Sequence, residues 1–316
     1  MIFDKMSEIQ KNILLAPHTT FKIGGRVDYF FEAKNEKDLI KILKLVKENK
    51  ISFFILGCGS NVLIPDKGFR GLAIKIQNSK FKIQNCNGKF KIICDAGVLL
   101  SKLIQETVKI RASGLEWFVG IPGTIGGAVY GNAGWSKNKK NIGDIVKQIT
   151  VLRDESQIKI SHRQCRFHYR DSIFKHNNDI ILSVELELQN GDILKMEKTI
   201  KEILLKRKND PKGSSVGCIF KNIDYKTLDE KIFQKHPELK NIIKNNSISA
   251  GYLIEQCGLK GKKIGGAIVS EKHANFIINI NQAKAEDVIM LISLIKQKVR
   301  NEFNIQLQEE IQYIGF

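Results

Sequence analysis

The sequence predicts an α+β protein in two parts, and three observations carry that expectation. Helical and strand patterns follow one another in mixed order, without the regular strand–helix alternation of a doubly wound sheet. One long amphipathic stretch, DILKMEKTIKEILLKRKND (192–210), ends in basic residues and then Pro211, as a connector helix would. Beyond it, short strand patterns and two helices form a separate group. The expected parts are 1–205, made of two lobes at 1–80 and 81–190 followed by the connector, and 206–316.

In the first lobe VDYFFEA (27–33) has strand composition. Asn35 is placed to cap a helix through Glu48 whose apolar stripe is Leu39, Ile42, Leu43 and Val46. FFIL (53–56) reads as a short strand running into the loop GCGSNVL (57–63), and LAIKI (72–76) alternates as a strand. In the second lobe KFKIQ (80–84), KFKIIC (89–94), IVKQITVLR (145–153) and IILSVELEL (180–188) are strand patterns, with a helix in VLLSKLIQETVKI (98–110). After the connector come the turn KGSSVGCIFKN (212–222) and a helix from Ser249 to Gly258. A strand pair near GGAIVS and NFIINI, a helix over 284–302 and a last strand in EEIQYIG (309–315) complete the chain.

Hydrophobic residues at 42% and charged residues at 27% are ordinary for a globular protein. No run of 18 apolar residues predicts a membrane span. The opening MIFDKMSEIQKN lacks the basic-then-apolar order of a signal peptide, so a cytoplasmic location is expected. Six scattered cysteines, with no CxxC pair and no Cys/His cluster, argue against a disulfide scaffold and a zinc site, and no metal is expected. The net charge of +18 has two readings, a nucleic-acid binder or a lysine-rich surface with anionic small ligands. The lysines are spread over helical stretches with no basic arm, which favours the second; no nucleic-acid partner is expected.

Two glycine-rich stretches carry chemistry: GCGSNVL and GIPGTIGGAVYGNAG (120–134), the latter with six glycines in fifteen residues. Closely spaced glycines let backbone N–H groups approach an anionic phosphate; they also serve turns that need positive φ. Neither stretch matches GxGxxG or GxxxxGK[ST], and the pair together favours a pyrophosphate. Arg170 in YRDS can be a surface ion pair or a carboxylate clamp. Glu310, taken alone, reads as solvent-facing, and the histidines show no triad or metal spacing. Cys218 lies in a Gly/Ser turn, where a thiol is a costly choice unless it packs or reacts.

In order along the chain stand TTFKIGG, GSNVL, GIPGTIGGAVYGNAG, YRDS, GCIFKN, AGYLIEQCGLKG with IGGAIVS, HANFIIN and LQEEIQYIG. With these eight anchors, from 18 to the last strand, the chain resembles the UDP-N-acetylenolpyruvoylglucosamine reductase family, in its shorter type without a tyrosine-bearing loop insert. The resemblance implies a flavoenzyme of peptidoglycan synthesis. Its first part would be an FAD-binding unit like that of the vanillyl-alcohol-oxidase (PCMH) flavoproteins, with FAD bound non-covalently, and its last part would bind substrate. NADPH would be the reductant and the enolpyruvyl ether of a UDP-sugar the substrate, with no membrane insertion. The loops would hold FAD through Gly57, Cys58, Gly59, Ser60 and Asn61, and through Ile121, Pro122, Gly123, Thr124, Gly126 and Gly127. Another PCMH-type oxidoreductase is the alternative, although it would not be expected to carry GCIFKN together with the terminal glutamate.

The resemblance also assigns roles. Arg170 would stabilise the enolate, Glu310 would be the glutamate of the terminal motif, and Lys221, Asn222 and Asn275 would touch substrate. Cys218 falls where the family pattern usually has serine, the proton donor. The usual terminal pattern LEPEV reads LQEEI here, so the choice of Glu310 over Glu309 rests on register.

Overall fold

The structure, a computed structural model, describes residues 8–135 and 140–316. By compactness they fall into two units. The first comprises the chain up to Ile13 with Asp28–Cys58 and Gly71–Lys208; the second comprises Leu14–Val27, Gly59–Arg70 and Asn209–Phe316. The units are discontinuous where the sequence suggested a single boundary near residue 205. Phe21, Ile23 and Leu63 explain this, because they are buried in one apolar cluster with Val216, Phe220 and Leu253.

In the first unit, Asn35 Oδ1 accepts from Asp38 N at 2.9 Å and starts the helix Glu36–Glu48. Such a cap contributes about 1 kcal/mol. The helix buries Leu39, Ile42, Leu43 and Val46, in one cluster with Phe31, Leu72 and Ile74. A four-stranded sheet has the order Gln10–Leu14, Arg26–Ala33, Phe69–Ile76, Phe53–Leu56, its last pair parallel. An antiparallel sheet runs Ser156–Ser161, Val146–Arg153, Ile180–Asn190, Lys89–Asp95, Phe81–Cys86, with Ala112–Ser113 pairing on Ile180–Asn190. Helix Leu100–Lys109 follows that sheet's Lys89–Asp95 strand, and the connector helix is Ile193–Arg207, capped by Asp192.

In the second unit, Ser249 caps the helix Ala250–Gln256, as its position in the sequence suggested. Strands Lys263–Ile264, Ala267–Val269 and Ile277–Asn279 form an antiparallel sheet, and the helix Ala285–Phe303 buries Val288, Leu291, Ile292, Ile295, Val299 and Phe303. The last strand is shorter than expected: only Gln312–Tyr313 pairs, parallel to Val62–Leu63, and Glu310 precedes it. Among the described residues no helix is long and apolar enough to cross a membrane, and no three Cys, His, Asp or Glu side chains cluster as a metal site.

Candidate active site

The strand Phe53–Leu56 delivers the chain into the first glycine loop. A Cβ on Gly57 would stand 2.9 Å from Thr124 Oγ1, so this loop lies against the second glycine stretch. Thr124 caps the helix Ile125–Tyr130 by accepting from Gly127 N at 3.2 Å. Gly126 packs so closely that a Cβ would meet Ala96 Cβ at 2.8 Å, and Gly123 holds φ +139°, a conformation that favours glycine. The two expectations for these glycines are both met here: they serve tight backbone geometry, and they leave a wall of main chain without side chains. No acidic residue occurs in GCGSN or IPGTIGG. Such a cradle fits the pyrophosphate of a flavin dinucleotide.

Cys58, the last residue of the first unit, has its thiol pKa raised by burial, with Lys75 pulling weakly the other way. Gly59 belongs to the second unit, where its φ is +62° and its carbonyl accepts from Thr20 N at 3.1 Å. Asn61 gives its amide to Glu310 O at 3.1 Å, and its own carbonyl accepts from Gln312 N at 2.9 Å. Asn61 thereby ties the first glycine loop to the terminal motif.

Arg170 occupies a tight turn, His168–Asp171, closed by main-chain hydrogen bonds in both directions. Its φ is +55°. Its Nη2 donates to Gly134 O at 2.6 Å, its guanidinium carbon lies 5.3 Å from the Tyr169 ring centroid, and Lys175 Nζ donates to its carbonyl at 2.8 Å. Beside it, burial would raise Asp171. Hydrogen bonding and charge from His176, with help from Ser172 N and Lys175, outweigh burial and hold the carboxyl below its ordinary range. Burial, and then the charge of Asp171, raise Tyr130.

In the second unit, the Cys218 segment runs between two others. Cys218 pairs with Phe276 on one side, and Phe220 pairs with Glu309 on the other. Ile219 N donates to Asn275 O at 2.8 Å, and Glu310 N donates to Ile219 O at 2.7 Å. Lys221 N donates to Gln308 O at 2.9 Å. The side chain of Asn275 is 2% exposed, accepts from Phe220 N at 2.9 Å and donates to Phe220 O at 2.8 Å. Its amide is committed to shaping this segment rather than open to a ligand. Asn222 Oδ1 accepts from Ala250 N at 3.2 Å, at the start of the helix Ala250–Gln256. Glu309 is paired with Lys296 at 2.9 Å.

Residues 209–314 match the C-terminal domain of UDP-N-acetylenolpyruvoylglucosamine reductase, and residues 27–160 match an FAD binding domain. The reductase of that name from Carboxydothermus hydrogenoformans is 36% identical over 312 residues, 98% of this chain and 95% of that protein. The one from Caldicellulosiruptor bescii is 38% identical over 98% of this chain and 91% of its own length. The crystal structure of the Thermus caldophilus reductase matches with a TM-score of 0.74 at 29% identity, covering 95% of this chain and 97% of that one. The chain belongs to the UDP-N-acetylenolpyruvoylglucosamine reductase family.

In this member of the reductase family, the expected site residues fall into two constellations. The first unit holds Gly57 and Cys58, the stretch Ile121–Gly127 and Arg170, the last joined to the second glycine stretch through Gly134. The second unit holds Gly59, Ser60 and Asn61 with Cys218, Lys221, Asn222, Asn275 and Glu310. Two residues that bear on the reductase site were not singled out in the sequence. Asn132 Nδ2 donates to His168 O at 2.7 Å, and Ser172 Oγ donates to Tyr130 O at 2.7 Å. Their signal was available in GNAG and YRDS, since a polar residue beside a tight turn often bonds its backbone.

Proposed function

We propose that this chain is the NADPH-dependent flavoenzyme that reduces the enolpyruvyl ether of UDP-N-acetylglucosamine enolpyruvate to UDP-N-acetylmuramate in peptidoglycan synthesis. The observation that carries the reading is its identity to reductases of that name over nearly its whole length. When bound, FAD supplies the hydride chemistry, from NADPH to the methylene carbon of the enolpyruvyl group. Gly57, Cys58, Gly59, Ser60 and Asn61, with Ile121, Pro122, Gly123, Thr124, Gly126 and Gly127, hold it non-covalently. The N-terminal part, 1–205, serves the cofactor, and 206–316 serves the substrate through Lys221 and Asn222, with Asn275 shaping the segment. The enzyme works in the cytoplasm on a UDP-sugar, with no nucleic-acid partner and no membrane insertion.

Charge builds on the substrate carboxylate and the carbon beside it as hydride adds. Arg170 meets that charge with a planar cation, a role lysine fills poorly. Cys218 gives its thiol proton to the carbon; with an ordinary pKa of about 8.5, a thiol is mostly protonated at neutral pH and is a stronger acid than a serine hydroxyl. Glu310, held beside this segment by its N–H bond to Ile219 O, is the third catalytic group.

The purified chain should be yellow, release FAD on denaturation, and oxidise NADPH in step with the enolpyruvyl substrate. A colourless chain that takes up no added FAD would overturn the reading. Cys218→Ala should accept electrons from NADPH but not return them to substrate, whereas Cys218→Ser should keep substantial turnover. If Cys218→Ala returns electrons at the wild-type rate, the proton comes from another group.

A further inference from the structure

The geometry points to Asn132 and Ser172 as positioning residues for Arg170, acting through the short helix that separates the cofactor cradle from the arginine turn. This inference rests on the role given to Arg170 above. The starting observation is strain. Arg170 holds φ +55°, which costs a residue with a side chain roughly 1 kcal/mol and is usually left to glycine or asparagine in such turns. A side chain kept there must be imposed by its surroundings.

Two buried side chains impose it, one on each side of Arg170. Asn132, 4% exposed, donates from Nδ2 to His168 O at 2.7 Å while its Oδ1 accepts from Gly143 N at 3.0 Å. Ser172, 1% exposed, donates from Oγ to Tyr130 O at 2.7 Å. The guanidinium itself reaches Gly134 O, and Gly134 has no room for a side chain because a Cβ would lie 2.3 Å from Lys140 O. All three anchors, Tyr130, Asn132 and Gly134, follow directly on the helix Ile125–Tyr130.

That helix begins at Thr124, in the cradle, and ends at the anchors of the arginine turn. Its six residues rise about 9 Å, so backbone hydrogen bonds set the spacing between cradle and guanidinium. A long, flexible arginine is thus delivered with its orientation already fixed. Misplacing a reacting group by about 1 Å can cost on the order of 10²-fold in rate. Asn132 and Ser172 therefore matter to the step in which Arg170 meets the substrate carboxylate, and not to electron delivery from NADPH.

The test uses Asn132→Asp, which tolerates positive φ but removes the donor to His168 O, and Ser172→Ala. Both variants should bind FAD and be reduced by NADPH at near wild-type rates, while re-oxidation by substrate slows about 10-fold or more. Combining either with Arg170→Lys should add little further loss, because the residues act as one unit. In the flavin-free chain, the Arg170 Nε–H resonance, assigned by its absence from Arg170→Lys, should shift in both variants. Wild-type re-oxidation with an unmoved resonance would overturn the inference, and so would equal slowing of both half-reactions with loss of flavin. Should Asn132→Asp fail to fold, Ser172→Ala decides alone. If Arg170→Lys itself re-oxidises normally, the role of Arg170 falls; if it is slow while the other two are not, only the positioning claim falls.

Discussion

Replacing Gly57 with alanine tests the cradle directly. Gly57 has no positive φ, so alanine can adopt its backbone, and the only penalty is space. The new methyl would stand 2.9 Å from Thr124 Oγ1, 3.6 Å from Cγ2 and 3.8 Å from Cβ. The oxygen contact must open by several tenths of an ångström, yet that oxygen is the cap that accepts from Gly127 N. If the hydroxyl gives way, the cap is lost at about 1 kcal/mol; if the backbone gives way, overpacking costs about 1–3 kcal/mol. Thermal unfolding of the flavin-free chain should therefore fall by roughly 2–4 °C for each kcal/mol, and FAD affinity should drop with it. Thr124→Ala removes the obstructing oxygen, so the double variant should lose less than the sum of the two singles by at least about 0.5 kcal/mol. Unfolding and FAD titration by fluorescence quenching would read both effects. An unchanged midpoint with unchanged affinity for Gly57→Ala, or strict additivity in the double variant, would refute the contact.

Arg170→Gly should match or exceed wild-type unfolding temperature, since glycine takes φ +55° freely, while re-oxidation by substrate is lost; a large fall in stability would show that the arginine supports the fold. Glu309→Gln should break only the pair with Lys296, at a cost of about 0–1 kcal/mol, and leave turnover near normal, whereas Glu310→Gln should impair it; steady-state kinetics that show the reverse would move the role to Glu309. Burial, with the Asp95 charge adding to it, pushes the Cys94 thiol up to about 12, and burial alone does the same for Cys165. A raised folded pKa gives stability that is complete below the ordinary thiol range and is lost as pH rises toward 12, so Cys94→Ala and Cys165→Ala should flatten the alkaline fall in unfolding free energy. Mass spectrometry after mild alkylation at pH 8 should find label on exposed Cys86 and none on Cys94 or Cys165.

Much of the fold was legible because its elements announce themselves locally. Asn35 with a four-residue apolar stripe specifies a helix, and IILSVELEL alternates along its whole length. The strands Gln10–Leu14 and Ser156–Ser161 were not legible. Both are sheet edges with almost no buried side chain, so pairing rather than pattern defines them. The short helices Glu230–Lys235 and Glu238–Asn241 likewise lack the length to show a period. The discontinuous units were hidden for a different reason. Phe21, Ile23 and Leu63 look like any buried apolar residues, and nothing local says which core receives them. At the site, residue types were readable but their commitments were not: Asn275 reads as a ligand contact, and only the fold reveals that its amide is given to Phe220.

The same hydrogen bonds explain why a cysteine can stand where the family pattern has serine. Position 218 is defined by main chain rather than by its own side chain. Gly217 turns at φ +80°, Ile219 and Phe220 are anchored in the core, and Asn275 and Glu310 hold them from either side. Any small side chain placed there inherits the same direction. What changes between serine and cysteine is then the acidity of the group, with the geometry preserved. Cys94 and Cys165 show the contrasting case, in which burial lifts the thiol to about 12 and leaves it inert as a packing group. Cys218 is neither fully buried like them nor exposed like Cys86. A half-buried thiol on a rigid segment can hold its proton at neutral pH and still reach a substrate, which is what a proton donor requires.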